Sequence, residues 1–304
     1  GNLFAKGLQI QQSNSSDFPN PGSEINTLPA TIKISNNKIG VDFNGTTGIS
    51  GATGLRIATQ NPNGKNTVSI EDNVISGAGY GIYIINNGKP VSINRNFIGI
   101  DKSKTKRLPV NVGIFVYWAN EVKIGSDDPA DANYIAYCKP VEVWPYSYAA
   151  VNKNSFFCTV NAYPMIYQGY GTFPHPGIAI STITANSISG TATPNSSVEL
   201  FYSDACGTCS PETYFASTTT DANGNWQYNG PITGTVIASA SLNKAPSEFT
   251  RTLLDVSNIN ITHTCSNTGS IKGAVPVAAA AVRWLDERGN VVPSSVGLLH
   301  APPG

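Results

Sequence analysis

Residues 96–116 read NFIGIDKSKTKRLPVNVGIFV and contain both of the short motifs on which the fold prediction rests. The stretch opens with Asn followed by apolar residues, and it ends with Gly, an apolar residue, any residue and a second apolar residue. Each motif has the alternation of a short β-strand, in which every second side chain faces the interior. Residues 100–109 lie between the two motifs and are polar, which predicts a loop that leaves the strands.

The two motifs alternate along residues 1–159. Copies of the first motif begin at Asn2, Asn37, Asn73, Asn96, Asn133 and Asn154, and copies of the second at Gly7, Gly54, Gly81 and Gly113, with a variant at Pro140. A repeat of roughly twenty or more residues with two or three strands is one turn of a parallel β-helix. An ordinary antiparallel domain is the alternative. We expect one continuous core from the inward positions Ile39, Ile57, Ile75, Ile84, Ile98, Ile114 and Ile135.

Special residues recur at the corners of this predicted coil. Stacked Asn side chains can bond to one another along the coil and to turn backbone. We expect Gly to allow tight bends with positive φ.

Composition excludes some classes of function. Only 12% of the 304 residues are charged and the formal net charge is zero, so no basic surface for nucleic acid is expected. No apolar run is long enough to span a bilayer. Abundant Gly, Pro, Asn, Ser and Thr suit short strands joined by polar turns, as in secreted β proteins.

The rest of the chain divides into three further segments. Residues 160–177 are rich in Tyr, Pro and Gly and are predicted to be a linker. Residues 178–256 contain several short apolar strands separated by turn residues, which predicts a β-sandwich. Residues 257–304 begin a partial third β module. The fold class predicted is therefore all-β.

Several motifs resemble those of known families. Asn96-Phe-Ile-Gly-Ile-Asp101, followed by Leu108-Pro-Val-Asn111, resembles a repeat of secreted bacterial right-handed parallel β-helix proteins, with Lys104 where that repeat has Gly. Residues 178–256 are similar to bacterial immunoglobulin-like modules. Residues 257–304 resemble repeats of Bacteroidota gliding adhesins, in which residues 284–292 would form a hairpin. These resemblances imply an extracellular or cell-surface location.

The five cysteines allow two predicted disulfides. Cys206 and Cys209 frame a Gly-containing loop, which favours a local disulfide over a zinc half-site or a redox motif. Cys138 and Cys158 lie about one coil turn apart, so a bond between them is a second candidate, with two small core residues as the alternative. Cys265 is then left over.

Acidic residues raise the questions of catalysis and calcium. Asp127, Asp128 and Asp131 lie in one loop, and Asp101 lies one turn away beside Lys102, Lys104, Lys106 and Arg107. Glycoside hydrolysis needs paired carboxylates, and calcium needs converging oxygen ligands. A solvated loop explains the same residues, so we expect no enzyme and no cofactor, with calcium at Asp127, Asp128 and Asp131 as the alternative.

An aromatic group offers another kind of site. Trp118 follows one coil strand, and Trp144 and Tyr146 follow the next, so the rings can stack on one face and bind sugar. Packing against the next module is the alternative.

Three functions are consistent with these patterns. The first is a structural or adhesive segment of a bacterial cell-surface or secreted protein. The second is a glycan-binding module of a carbohydrate-active protein, and the third is a polysaccharide lyase or hydrolase. Coil motifs begin at Asn2 and the third module stops at Gly304. We therefore expect flanking modules of the same polypeptide, or neighbouring copies, as partners, and surface glycans as ligands.

Overall fold

The computed structural model is built almost entirely of β-strands. It describes residues 3–4, 8–12, 31–49, 51, 53–59, 67–85, 90–144, 147–159, 165–167, 175–204, 210–243, 245–250, 260–263, 269–272, 284–285, 291–292 and 298–301. The all-β prediction is confirmed, and so is the parallel β-helix-like fold of the first part of the chain.

Three parallel sheets form the coil. Sheet 1 contains β1 (Leu3–Phe4), β4 (Lys38–Ile39), β7 (Val74–Ile75), β10 (Phe97–Ile98), β13 (Tyr134–Ala136) and β16 (Ser155–Phe157). Sheet 2 contains β2 (Leu8–Gln12), β5 (Thr53–Thr59), β8 (Gly77–Ile85), β11 (Val110–Tyr117), β14 (Lys139–Val143) and β17 (Met165–Tyr167). Sheet 3 contains β3 (Thr31–Ser35), β6 (Thr67–Glu71), β9 (Val91–Asn94), β12 (Val122–Ile124) and β15 (Ala149–Val151). Because β17 pairs with β14, the coil extends into the segment predicted to be a linker.

The coil interior is a column of branched aliphatic side chains. All seven isoleucines predicted to share one core are fully buried in a single hydrophobic cluster. Parallel register explains this, because Ile39, Ile75, Ile98 and Ile135 are direct neighbours in sheet 1. Residues at the same place in successive turns therefore stack on one another.

A ladder of buried asparagines runs along the corner that precedes sheet 1. Each Nδ2 donates to the Oδ1 of the next asparagine at 2.8–3.0 Å, in the order Asn37, Asn73, Asn96, Asn133 and Asn154. The predicted ladder is thus confirmed for these five residues, while Asn2 lies outside the described residues. At each step the same Oδ1 also accepts a hydrogen bond from the backbone N–H of the preceding asparagine.

The glycines of the second motif have a different role from the one predicted. Gly54, Gly81 and Gly113 do not adopt positive φ. A Cβ at Gly81 would instead lie 2.6 Å from the carbonyl oxygen of Gly113, so close backbone approach requires glycine there. Positive φ occurs instead at Gly40 and Gly99, in the first motif, and at Gly125, which follows β12.

Two antiparallel sheets follow the coil. One contains β18 (Ile178–Ile183), β19 (Ser187–Ala192) and β22 (Asn225–Asn229). The other contains β21 (Pro211–Thr219), β20 (Ser197–Ser203), β23 (Val236–Leu242) and β24 (Ala245–Pro246). Both sheets contribute to one core, in which Trp226 packs with Ile188, Leu200 and Val236.

The second of these sheets covers the last turn of the coil. Phe201, Ile237 and Phe249 belong to the same hydrophobic cluster as the coil core. Phe249 lies edge-on to Phe156, with ring centroids 5.8 Å apart. Around these rings the Tyr134 hydroxyl donates to Glu212 at 2.6 Å, so apolar packing and a polar rim together seal this end of the coil.

Further strands lie beyond residue 256. β25 (Asn260–His263), β26 (Gly269–Lys272) and β29 (Leu298–Ala301) form one antiparallel sheet. β27 (Trp284–Leu285) pairs antiparallel with β28 (Val291–Val292), which is the predicted hairpin.

Candidate functional site

An aromatic surface covers the outside of sheet 2. Residues that alternate with the buried isoleucines point outward, and parallel register places Arg56, Tyr83, Phe115 and Glu142 side by side on successive turns. We call the following set the aromatic face: Tyr80, Tyr83, Phe115, Tyr117, Trp118 and Trp144.

The rings of the aromatic face contact one another continuously. Phe115 lies at the centre, with its ring centroid 4.9 Å from Tyr80, 5.1 Å from Tyr83 and 5.7 Å from Trp144. Tyr117 stacks on Trp118 at 5.6 Å and meets Trp144 edge-on at 6.1 Å. Phe115 is buried among these rings, of which Tyr80, Tyr83 and Tyr117 are half-buried and Trp144 is exposed.

Trp118 and Trp144 lie in the same cluster and are joined through Tyr117. Trp118 is 54% exposed and Trp144 is 39% exposed, whereas Phe115 is 6% exposed. The two tryptophans, each one residue beyond the end of a sheet 2 strand, therefore present large apolar surfaces to solvent. Tyr146, the third residue predicted for this site, lies outside the described residues.

Charged groups border the aromatic face on two sides. The Arg56 guanidinium lies 5.8 Å from the Tyr83 ring centroid. On the opposite side, Glu142 is buried and accepts a hydrogen bond from the Trp144 Nε1 at 2.8 Å, which fixes the indole orientation. Burial raises the pKa of the Tyr83 hydroxyl, so Tyr83 stays neutral at physiological pH and can both donate and accept hydrogen bonds.

The acidic loop does not have the geometry of the calcium site considered above. Asp131 forms an ion pair with Arg95 and accepts from Ser126, while Asp128 accepts from the Ala130 N–H at 2.9 Å. Asp127 accepts from Asn152 at 3.3 Å. Among the residues described, no three His, Cys, Asp or Glu side chains converge to hold a metal ion.

Arg95 explains the position of Asp131. Its guanidinium is also paired with Glu71 and Asp72, and Lys33 forms a further pair with Glu71. These contacts raise the pKa of Arg95 still further, with the Asp72 hydrogen bond as the largest cause. The cluster ties sheet 3 to the corner before sheet 1, which is a structural role.

Asp101 also has a structural role. Burial alone would raise the pKa of its carboxyl, but hydrogen bonds from Ser103, Lys106 and Thr105 hold that pKa below its usual value. The carboxylate is 3% exposed and accepts from the Thr105 and Lys106 N–H groups at 2.7 and 2.6 Å. Its oxygens are therefore occupied within the loop.

The predicted bond between Cys138 and Cys158 is wrong. Cys138 is a free, fully buried thiol in the coil core, and burial raises its pKa to about 12. Sheet register gives the reason: Ala136 pairs with Phe157, so Cys158 lies beside Tyr137 rather than Cys138. A one-residue offset turns the two side chains to opposite sides. Cys158 is disulfide-bonded, and Cys206 and Cys209 lie outside the described residues.

Comparisons with known proteins assign no function to this chain, so a functional proposal depends on the aromatic face alone. The chain matches no family model, no curated protein and no solved structure. In the part of the chain that the structure describes, no helix is long and apolar enough to cross a membrane.

Proposed function

We propose that this chain is an adhesive segment of an extracellular, cell-surface protein, and that its coil binds carbohydrate through the aromatic face. The observation that carries the proposal is the exposure of Trp118 and Trp144 on a cluster whose centre, Phe115, is buried. Soluble proteins rarely expose contiguous apolar surface unless it contacts a ligand or a partner.

Carbohydrate suits this surface chemically. The C–H faces of a sugar ring pack against aromatic rings, while its hydroxyls need hydrogen-bonding groups at the edges. Tyr80, Tyr83 and Tyr117 each bring a hydroxyl to the face, and Arg56 and Glu142 lie at its borders. Successive coil turns are about 4.8 Å apart, so the face offers a repeating series of contacts to a polymer.

The fold supports an adhesive role in a second way. We infer that the two antiparallel sheets after the coil are the immunoglobulin-like module that residues 178–256 resemble, and Phe201 and Phe249 from this part of the chain cover the end of the coil. Modules joined end to end in this manner extend a surface protein away from the cell. The Bacteroidota adhesin resemblance of residues 257–304 agrees with this proposal. No catalytic role is proposed, because Asp101 and Asp131 are held by hydrogen bonds and an ion pair.

Binding to immobilised polysaccharides tests the proposal directly. The W118A/W144A variant should lose at least about tenfold in affinity for any polysaccharide that the natural chain binds, because stacking on both exposed rings is removed. F43A is a matched control, since Phe43 is an aromatic residue that is 77% exposed and is not part of the aromatic face. Equal affinities of the natural chain and the double variant would refute the aromatic face as the binding site.

A further inference from the structure

The coil contains two loops of the same conformation and very different charge. Both connect a strand of sheet 1 to a strand of sheet 2: residues 40–52 follow β4, and residues 99–109 follow β10. In the first, Asp42 Oδ1 accepts from the Thr46 and Thr47 N–H groups at 2.7 and 3.0 Å. In the second, Asp101 Oδ1 accepts from the equivalent N–H groups at 2.7 and 2.6 Å.

Backbone details confirm the equivalence of the two loops. An isolated antiparallel bridge closes each one, Val41 with Gly48 and Ile100 with Arg107. Gly45 and Lys104 occupy the same place with φ of 75° and 61°. The first loop contains no Lys or Arg of its own, although Lys38 of β4 donates to its Phe43 carbonyl. The four cations within the second loop are therefore not required for the shared conformation.

The second loop nevertheless has four cations within six residues, Lys102, Lys104, Lys106 and Arg107, where the first has none. All four are exposed. Ion pairs within the described part of the chain use other cations, Lys33 and Arg95. Lys104 lies over the Tyr134 ring at 3.9 Å and Arg107 over Tyr137 at 5.5 Å, which directs these two side chains along the coil surface.

The charged loop leads directly into the aromatic face. It ends where β11 begins, and β11 contains Phe115 and Tyr117. Phe115 lies five positions beyond Val110 along the extended strand, a distance of about 17 Å. A polysaccharide of several sugar units can contact both surfaces at once.

We propose that residues 102–107 bind acid groups and that the glycan of the aromatic face is an acidic polysaccharide, an inference that rests on the function proposed above. Exposed cations that form no ion pair within the described part of the chain attract a polyanion over several ångströms and select it against neutral competitors. Nucleic acid is a poorer match, because the chain as a whole has no net positive charge.

Binding to pairs of polysaccharides, one acidic and one neutral, tests this inference separately from the proposed function. Affinity is measured for polygalacturonate and for its carboxyl-reduced, neutral form, and for dextran sulfate beside dextran, at low and physiological salt. The natural chain should prefer the acidic member of at least one pair by about tenfold or more, and salt should reduce that preference. A preference for polygalacturonate assigns carboxylate, and a preference for dextran sulfate assigns sulfate.

The K102Q/K104G/K106T/R107Q variant removes the charge while following the first loop at two positions. It should abolish the preference without changing affinity for the neutral polymer, whereas K123Q, at an exposed position of sheet 3, should change neither. The thermal unfolding of the quadruple loop variant should match that of the natural chain. This match would show that the loop has kept its fold.

Each outcome decides a different point. Equal affinity for acidic and neutral polymers overturns the acidic assignment and leaves the aromatic face intact. Acidic binding that W118A/W144A does not change overturns the aromatic face and keeps the loop. Loop-dependent binding to anionic lipid vesicles or to DNA, without polysaccharide binding, overturns both.

Discussion

Asn96 donates a hydrogen bond from Nδ2 to Oδ1 of Asn133 at 2.9 Å, although the two residues are 37 positions apart. The same Nδ2 reaches the Ile70 carbonyl at 2.9 Å, and the Asn96 Oδ1 accepts from the Asn73 N–H at 3.1 Å. One side chain therefore joins three successive turns of the coil. It is fully buried, so water cannot replace these bonds.

We expect N96A to lower the free energy of unfolding by about 3–5 kcal/mol, because it leaves several buried donors and acceptors unsatisfied. Denaturant unfolding measures the change. N94A is the matched control, since the Asn94 Oδ1 has no hydrogen-bond partner, and it should cost less than about 1 kcal/mol. Similar losses in both variants would contradict the ladder's role.

The coil was predictable because its signals are repeated residues at repeated spacing. Asn and Ile recur at each turn, so the core and the ladder can be read from the sequence before any contact is known. The loop at residues 40–52 has the same local signal as the second loop, because Ile39, Gly40, Asp42 and Gly45 match residues 98, 99, 101 and 104 in spacing.

Other features depend on contacts that no local pattern specifies. Phe201 and Phe249 read as ordinary sandwich residues, and only the folded chain shows that they cover the coil. The Cys138–Cys158 prediction had the right turn but missed the register by one residue. The aromatic face was partly predictable from Trp118 and Trp144, whereas Tyr80 and Tyr83 join it only through the pairing of β8 with β11.

The backbone of one coil turn lies so close to Gly81 that adding a single methyl group there should lower stability. At Gly81 a Cβ would lie 2.6 Å from the Gly113 oxygen and 2.7 Å from Ile98 Cγ2. We expect G81A to cost about 1–3 kcal/mol of unfolding free energy through overpacking. Gly177 has nothing within 4 Å of its Cβ position, so G177A should be neutral or slightly stabilising. Thermal unfolding of both variants compares them, and a neutral G81A would show that the turns can separate.

Cysteine mapping has a defined expected result. Under non-reducing conditions the Cys158 peptide should be linked to a peptide containing Cys206, Cys209 or Cys265, because Cys138 is free. Cys138 should react with alkylating reagents only after unfolding, since its thiol is buried and its pKa is raised to about 12. Rapid labelling of Cys138 in the folded protein, or a bond from it to Cys158, would contradict the coil register.

Glu199 predicts how stability depends on pH. It lies where the sandwich meets the coil and accepts a hydrogen bond from the Lys153 N–H at 3.0 Å. Burial raises the pKa of its carboxyl to about 7, although the bond from Lys153 acts in the opposite direction. In the unfolded chain the pKa is near 4.5, so between pH 4.5 and 7 the folded protein binds more protons than the unfolded one.

The free energy of unfolding should therefore fall as pH rises through this window, and the whole cost of the buried charge is present above pH 7. E199Q removes the charge and keeps an acceptor for the Lys153 N–H. We expect it to stabilise the protein at pH 8 by up to about 3 kcal/mol and to have little effect at pH 4.5. Denaturant unfolding at a series of pH values measures this, with E121Q at an exposed position as the control. A constant difference between E199Q and the natural chain across the series would show that Glu199 does not titrate in this window.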